Sequence, residues 1–200
     1  MFDFSPLEQY QPIWIGDDCC VCLGDVQPPD KPAVCFFLQS PSYFGTGGHP
    51  FTKAILLALY DMDFTGMSVL DYRAGSGLLG IYCARFGAKE VVSHNETARE
   101  FERAAENSMV NDIRITPATK TEMEITSAQA FDMVVCQQIT PKSAREDVQF
   151  LSKVIAQNGC AILTGWEAKQ HQFIRGIVEE FFIIKLLADL DGYPIMKVEK

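Results

Sequence analysis

The sequence predicts an α/β protein built on a doubly wound, mostly parallel β-sheet, and three observations predict it. Beyond residue 52, short β-branched and apolar runs alternate with segments of helical apolar spacing. A glycine turn separates the first of these runs from the helix that follows, and the end of the chain has the pattern of a β-hairpin. Because single helices between strands imply right-handed crossovers, this order predicts parallel strands.

The first part of the chain departs from this rhythm. Its apolar runs at 13–15, 20–23 and 33–37 are separated by turn residues, so we expect two or three short antiparallel strands. We assign residues 1–43 to a β-rich N-terminal extension and residues 44–200 to the main domain. The chain has 200 residues, the length of one domain with a substantial core.

In the main domain, periodicity places strands and helices in alternation. Strands are predicted at 67–72, 89–93, 113–116, 131–136 and 160–164. Helices are predicted at 52–60, 78–86, 97–110, 142–156 and 167–180, and Asn158-Gly159 is expected to end the fourth of them. The closing hairpin is predicted at 181–188 and 193–198, and it adds an antiparallel strand to the sheet.

The composition excludes several classes of partner. The chain is 48% apolar and carries a net charge of -9 with a pI near 4.8, without a basic patch, so we expect no nucleic-acid partner. No run approaches the roughly 20 apolar residues of a membrane span, so we expect no membrane partner. The N-terminus lacks the positive charge and apolar core of a signal peptide, and we therefore expect a cytoplasmic chain.

Seven cysteines are present, an odd number that argues against a disulfide framework. Cys19, Cys20 and Cys22 cluster, whereas the other four are isolated within apolar runs. A zinc site would need a second pair at matched spacing, and none follows the cluster. We therefore expect no metal site and interpret the cysteines as buried free thiols.

The loop after the first predicted strand of the main domain is the first candidate site. In a doubly wound sheet, ligands bind beyond the carboxyl ends of the strands, at the point where the strand order reverses. Gly75 and Gly77 remove Cβ atoms where the backbone must turn and a ligand must approach. The helix that follows offers free amide groups at its N-terminus, so the position favours a ligand-binding loop over simple packing.

Longer motifs around this loop resemble a known family. The segment FGTGGHPFT at 44–52 is similar to the FGTGxHPTT motif of the bacterial ribosomal protein methyltransferases, the PrmA family. The segment VLDYRAGSG at 69–77 is similar to that family's VLDxGxGSG loop. The similarity continues at 13–17, 86–92, 104–107, 131–135 and 162–165, so the resemblance covers nearly the whole chain.

The resemblance implies a Rossmann-like class I methyltransferase fold, with a seven-stranded sheet whose last strand is antiparallel, and S-adenosylmethionine as cofactor. It implies that the cofactor-binding residues are Phe44, Thr46, Asp71, Arg73, Gly75, Gly77, Asn95 and Glu96. It implies Gln137, after the fourth strand, as the catalytic residue beside the methyl acceptor. Family members carry a separate N-terminal domain that engages the ribosomal protein, and this chain matches the part that follows it.

Three residues depart from the family pattern. Arg73 stands where the family has the first glycine of the loop, and a side chain there would project toward the methionine part of the cofactor. Asn95 replaces the acid that accepts hydrogen bonds from the ribose hydroxyls; its amide is neutral and accepts more weakly, while Glu96 is adjacent and could substitute. Gln137 keeps an amide where the family has Asn, but on a longer side chain.

Histidine and tryptophan side chains offer weaker candidates. We expect His49 to cap the helix that follows it rather than to catalyse, and His171 to be solvated on a polar helical face. His94 could either fill a pocket at the cofactor edge or be exposed. Trp166 could line an acceptor pocket or pack in the core.

Two hypotheses follow for the function. The chain is a methyltransferase for a protein or small-molecule acceptor, as the motifs at 44–52 and 75–77 suggest. Alternatively it is a non-catalytic member of the same fold, a scaffold or regulatory subunit, as the three departures together suggest. A nicotinamide-dependent oxidoreductase is disfavoured, because the loop lacks the full GxGxxG pattern. Apolar residues of the extension leave a homo-oligomer open.

Overall fold

The computed structural model describes residues 11–24, 26–27, 34–39, 47–122, 130–190 and 192–200. Its strands are β1 (Ile13–Ile15), β2 (Cys19–Leu23), β3 (Val34–Leu38), β4 (Ser68–Tyr72), β5 (Glu90–His94), β6 (Thr116–Ala118), β7 (Phe131–Cys136), β8 (Ile155–Leu163), β9 (Ile183–Leu190) and β10 (Tyr193–Glu199). Its α-helices are α1 (Pro50–Leu59), α2 (Leu78–Arg85), α3 (Ala98–Val110), α4 (Ala144–Val154) and α5 (His171–Val178).

Seven of these strands form the main sheet, in the order β6-β5-β4-β7-β8-β10-β9. Strand β4 pairs in parallel with β5 and β7, and the pairs β5–β6 and β7–β8 are also parallel. Strand β10 runs antiparallel to both β8 and β9. The predicted seven-stranded, mostly parallel sheet with an antiparallel last strand is therefore confirmed.

Helices cover both faces of this sheet, which is why every residue of β4 is buried. On one face, Val148 of α4 belongs to the same apolar cluster as Leu70. On the other face, Ile55 of α1 and Leu78 of α2 cluster with Val69. The strand order reverses at β4, so the carboxyl ends of β4, β5 and β7 lie at the position where such sheets bind ligands.

The first three strands form a small sheet of their own, in the order β1-β2-β3. Strands β1 and β2 are antiparallel as predicted, but β2 and β3 are parallel, so the antiparallel expectation is wrong for the second pair. The connection at 24–33 is longer than an ordinary hairpin loop of roughly 2–5 residues, and it allows the chain to return in the same direction. The boundary predicted between residues 43 and 44 lies outside the described residues, so the division stays a prediction.

Several element bounds differ from those predicted, notably in β6 and at the junction between α4 and β8. The strand expected at 113–116 lies at Thr116–Ala118, because Asp112 adopts a left-handed φ of 52° and the chain first closes the end of α3. Helix α4 ends at Val154, and β8 begins at Ile155. The pair Asn158-Gly159, expected to end the helix, instead forms an irregularity within β8, with Asn158 at a φ of 67°. None of the helices in the described ranges has the length and apolar content that a bilayer span needs.

Candidate functional site

The backbone of the loop after β4 is left-handed at three positions. Arg73, Gly75 and Gly77 have φ values of 57°, 61° and 77°. A Cβ at Gly77 would approach the Cβ of Ala104 to 3.1 Å, so this glycine allows α2 and α3 to pack. Among the described residues, a Cβ at Gly75 would meet only the side-chain amide nitrogen of Gln138, at 3.7 Å, so in this part of the structure the glycine leaves room for a ligand.

Asp71 holds the loop's helix rather than pointing toward open space. Its carboxylate is fully buried, and Oδ2 accepts a hydrogen bond of 2.8 Å from the backbone N–H of Gly80 in α2. Burial raises the pKa of Asp71 to about 7, against the lowering effect of the Gly80 hydrogen bond. Asp71 therefore fixes α2 against β4 through Oδ2, and its contact with the cofactor stays a prediction.

The guanidinium of Arg73 joins three elements. Its Nη2 lies 2.9 Å from Oδ1 of Asp147 in α4 and 3.1 Å from Oε1 of Glu96, just after β5. Asp147 is completely buried and also accepts a hydrogen bond of 3.0 Å from the hydroxyl of Tyr72. The Arg73 side chain, expected to project toward the cofactor's methionine part, is thus engaged by two carboxylates of its own chain.

Asn95 connects the end of β5 to the loop. Its Oδ1 accepts a hydrogen bond of 2.7 Å from the backbone N–H of Gly75, and the N–H of Ala74 donates to the carbonyl of His94 at 2.9 Å. Asn95 is buried, and its amide oxygen is already used by the loop. Glu96, the predicted substitute, is exposed and paired with Arg73.

Gln137 lies buried at the end of β7, and its amide is held by α1. The hydroxyl of Thr52 donates a hydrogen bond of 2.5 Å to Oε1 of Gln137. The next residue, Gln138, donates from Nε2 to the carbonyl of Arg73 at 3.2 Å. A Cβ on Gly165 would lie 2.5 Å from the backbone nitrogen of Ile139, so glycine is required where β8 ends beside this segment.

Buried polar atoms without a hydrogen-bond partner in the described part of the chain gather at this edge of the sheet. Most of these atoms can donate, and they flank the loop after β4. They are Asp71 Oδ1, Arg73 Nε, Ser93 Oγ, His94 Nδ1, Asn95 Nδ2, Gln137 Nε2 and Asp147 Oδ2. Unpaired buried polar atoms are rare, and a ligand or water that contacts them would satisfy them.

The remaining candidates have structural positions. His94 is buried and stacks on Tyr72 with ring centroids 4.7 Å apart, and burial lowers its pKa to about 4. His49 accepts a hydrogen bond from the N–H of Phe51 and caps α1, as expected. Trp166 is buried and donates to His171 at 3.3 Å, so that histidine has a partner. Phe44 and Thr46 lie outside the described residues.

Two residues that support the loop were not predicted as site residues. Asn107 donates from Nδ2 to the carbonyl of Ser76 at 2.9 Å, while its Oδ1 accepts from the N–H of Gln39. Asp147 anchors Arg73. A signal for it was present, because Asp147 lies one turn from Ala144 and Leu151 on the apolar face of α4, where an acid requires a buried partner.

Comparison with known proteins agrees with the fold. The family model of ribosomal protein L11 methyltransferase (PrmA) matches residues 4–200. The ribosomal protein L11 methyltransferase of Burkholderia ambifaria is 29% identical over 185 residues, which make up 92% of this chain and 60% of that protein. That of a Janthinobacterium is 28% identical over 186 residues, with the same two shares.

A solved structure gives the same result at the level of the fold. The crystal structure of a ribosomal protein L11 methylase from Lactobacillus delbrueckii subsp. bulgaricus has a TM-score of 0.82 and 22% identity, and the match covers 94% of this chain and 98% of that one. The chain spans about 60% of the length of the curated relatives it matches. Because the family model matches nearly all of its length, the chain belongs to the ribosomal protein L11 methyltransferase (PrmA) family.

Proposed function

We propose that this chain is an S-adenosylmethionine-dependent methyltransferase that acts on a protein or small-molecule acceptor. The first acceptor to test is ribosomal protein L11, which the names of its relatives specify. The observation that supports the proposal is the loop after β4. It lies where the strand order reverses, keeps left-handed backbone at 73, 75 and 77, and leaves space at Gly75.

The donor set beside the loop fits this cofactor. S-adenosylmethionine presents ribose hydroxyls and a carboxylate, which accept hydrogen bonds from N–H groups. The unpaired buried Nδ2 of Asn95 would donate to a ribose hydroxyl, and the Nε of Arg73 would donate to the carboxylate. Gly75 would allow close approach, Glu96 would accept from the ribose, and Asp71 and Gly77 would keep the loop in shape. Phe44 and Thr46 belong to the same proposal through the family motif.

Gln137 is the residue we propose to orient the acceptor. When bound, the cofactor would supply an electrophilic methyl group on a sulfonium sulfur, and transfer requires a nucleophile aligned with that bond. The Thr52 hydroxyl fixes the Gln137 amide and uses one lone pair of Oε1, so the second can accept from an acceptor amine. The Nε2 of the same buried amide has no hydrogen-bond partner among the described residues, so it could donate to the acceptor.

A second candidate function is a member of the family that binds no cofactor and serves as a scaffold or regulatory subunit. The ion pairs of Arg73 with Asp147 and Glu96 favour it, because these charged groups beside the loop are paired with one another rather than with a ligand. The hydrogen bond from Gly75 to Asn95 favours it as well, because the position that matches the family's ribose acid is occupied by a contact within the chain.

Calorimetric titration with S-adenosylmethionine and S-adenosylhomocysteine tests the two functions. The unaltered chain should bind both at one site and transfer a radiolabelled methyl group to purified ribosomal protein L11. Because Arg73 Nε is proposed to hold the cofactor carboxylate, the variant Arg73→Gly should bind more weakly. Arg145→Ala, which breaks an exposed ion pair with Glu180, should bind as the unaltered chain does.

The outcomes separate the parts of the proposal. Absence of heat at millimolar ligand from both the unaltered chain and Arg73→Gly would exclude a cofactor site. Heat from Arg73→Gly alone would establish the second candidate, with Arg73 as the block. Binding without transfer to L11 would keep the methyltransferase and reject this acceptor. A cytoplasmic location belongs to the same proposal, because all seven cysteines are free thiols.

A further inference from the structure

Three cysteine thiols meet on the small N-terminal sheet, far from the loop after β4 in sequence. The Sγ atoms of Cys20 and Cys22 lie 3.8 Å apart, those of Cys20 and Cys35 lie 3.5 Å apart, and those of Cys22 and Cys35 lie 3.2 Å apart. Cys20 and Cys22 are fully buried, and Cys35 is partly exposed. Cys35 was expected to be isolated, and the fold instead makes it the third member of this cluster.

The strand register explains why these three thiols converge. Cys20 and Cys22 are two residues apart in β2, so their side chains point to the same face. Cys35 of β3 lies directly opposite Cys20 in the parallel pair. Cys19 and Val21 point to the other face and belong to the apolar core. One face of this sheet is therefore apolar, while the opposite face carries the thiols.

The spacing of the sulfurs matches the requirement of a single metal ion. Thiolates bound at about 2.3 Å to a tetrahedral zinc ion lie about 3.8 Å apart. The pair Cys20–Cys22 already has this separation, and the other two pairs need to open by only a few tenths of an ångström. Among the described residues, these three thiols form the group of potential ligands close enough together to bind one metal ion.

We propose that Cys20, Cys22 and Cys35 form a binding site for a thiophilic divalent cation of the zinc class, with the fourth coordination position taken by water or another small ligand. Three thiolates and a divalent ion leave a net charge of -1, whereas a monovalent ion such as Cu(I) would leave -2. A smaller net charge is cheaper to bury, and Cys20 and Cys22 are buried. A disulfide would use only two of the three thiols, whereas one metal ion uses all three.

A bound ion would stabilise the contact of β3 with the rest of the molecule. It would link β2 to β3, which are separated in sequence by the connection at 24–33. Cys20, Cys22 and Cys35 are free thiols, so no disulfide among them already links the two strands. The backbone of β3 in turn bonds to α3, because Phe37 donates to Asn111 and Gln39, just after the strand, donates to Asn107. The site is thus structural, and it does not depend on cofactor binding.

Metal titration of the reduced, metal-stripped full chain tests this site. Zn²⁺ is titrated in competition with a chromophoric chelator, and Cd²⁺ is titrated as a probe of the ultraviolet thiolate-to-metal charge-transfer band. One ion per chain and a band that saturates at one equivalent are expected. Each of Cys20→Ser, Cys22→Ser and Cys35→Ser should weaken binding by more than the roughly 100-fold that loss of a supporting group costs. The matched control Cys160→Ser, a partly exposed cysteine of β8, should bind as the unaltered chain does.

Alkylation mapping keeps the test decisive if a serine variant fails to fold. In the unaltered chain, one equivalent of Zn²⁺ should protect Cys35 from iodoacetamide and leave Cys160 as reactive as before, since both are partly exposed thiols. Equal protection of the two, absence of the Cd²⁺ band, or unchanged affinity in folded serine variants would overturn the proposal. None of these readouts involves S-adenosylmethionine, so failure here is distinct from failure of the proposed function.

Discussion

Arg73 carries two opposing contributions to stability. A non-glycine residue at a φ of 57° is disfavoured by roughly 1–2 kcal/mol. Against this, its guanidinium compensates the buried carboxylate of Asp147, and removal of one partner from a buried pair costs about 3–5 kcal/mol. The exposed contact with Glu96 contributes little by comparison. The ion pair therefore outweighs the backbone strain.

We expect Arg73→Gly to lower the free energy of unfolding by about 2–3 kcal/mol, the difference between these two effects. The double variant Arg73→Gly/Asp147→Asn should recover much of this loss, because it removes the unpaired buried charge. Urea denaturation of the two single variants and the double variant gives the coupling energy. Glu96→Gln is the control and should change stability by less than about 1 kcal/mol; additive effects of Arg73→Gly and Asp147→Asn would contradict the assignment.

Two buried titratable groups on neighbouring strands, Asp71 and His94, have opposite effects on the free energy of unfolding as the pH changes. The pKa of His94 falls from 6.5 to about 4 through burial, so between these values the unfolded chain binds a proton that the folded chain does not. Stability from His94 is therefore lost as the pH falls. The pKa of Asp71 rises from 3.8 to about 7 through burial, so the folded chain holds a proton that the unfolded chain has released. Stability from Asp71 is therefore lost as the pH rises.

We expect these two effects to offset each other between about pH 4 and pH 6.5, at about 1.4 kcal/mol per pH unit each. His94→Phe, which keeps a ring against Tyr72, should lose stability as the pH rises from 4 to 7. Asp71→Asn should lose stability as the pH falls from 6.5 to 4. Urea denaturation at a series of pH values measures both slopes, and parallel profiles for the unaltered chain and the two variants would show that neither group titrates as described.

At the scale of elements, α3 connects the small sheet to the loop after β4. The side chain of Asn107 accepts from the backbone of Gln39 and donates to the carbonyl of Ser76. The side chain of Asn111 bonds instead to the backbone of Phe37 and of its own helix. Both asparagines are buried, so each makes contacts that water would not replace. They differ in one respect, since only Asn107 reaches the loop.

We expect Asn107→Ala and Asn111→Ala each to lower the free energy of unfolding by about 1–3 kcal/mol, because each leaves buried backbone groups unpaired. Only Asn107→Ala should increase hydrogen exchange at the amides of residues 75–78, since it alone releases Ser76. Hydrogen exchange measured by mass spectrometry, under conditions in which the two variants have equal free energies of unfolding, distinguishes Asn107→Ala from Asn111→Ala. An equal increase in both variants would mean that the loop responds to α3 as a whole.

The features that could be predicted from the sequence are those coded locally. Strand β4, the turn at Gly75 and helix α2 lie within one short segment, and their alternation with later elements predicts the sheet. Asp147, which pairs with Arg73, and Asn107, which bonds to Ser76, lie 74 and 31 residues away in the sequence. The apolar face of α4 indicates that Asp147 requires a buried partner, but it does not identify Arg73 as that partner. The contacts of β3 with α3 likewise join residues far apart in the sequence, since Phe37 bonds to Asn111 and Gln39 to Asn107. The pair Asn158-Gly159 suits a β-bulge as well as the end of a helix, so its sequence does not decide between them.

At the scale of the whole molecule, the two apolar clusters share the central strands. Leu70 belongs to one cluster and Val69 to the other, although they are neighbours in β4. The small sheet is joined to the second cluster, since Phe36 packs on Tyr82 of α2 with ring centroids 5.4 Å apart. The residues described before β4 therefore have no separate core, which bears on the predicted division between 1–43 and 44–200.

The chain should consequently unfold in one transition, and its two tryptophans report on either side of the predicted division. Trp14 lies in β1, and Trp166 is buried after β8. In Trp166→Phe, fluorescence from Trp14 and far-ultraviolet circular dichroism should give the same urea midpoint, and the same should hold for Trp166 fluorescence in Trp14→Phe. Phe36→Ala should shift every signal together by about 3–5 kcal/mol, because it leaves a cavity between the small sheet and α2. An earlier midpoint for Trp14 alone would show instead that the extension unfolds as a unit of its own.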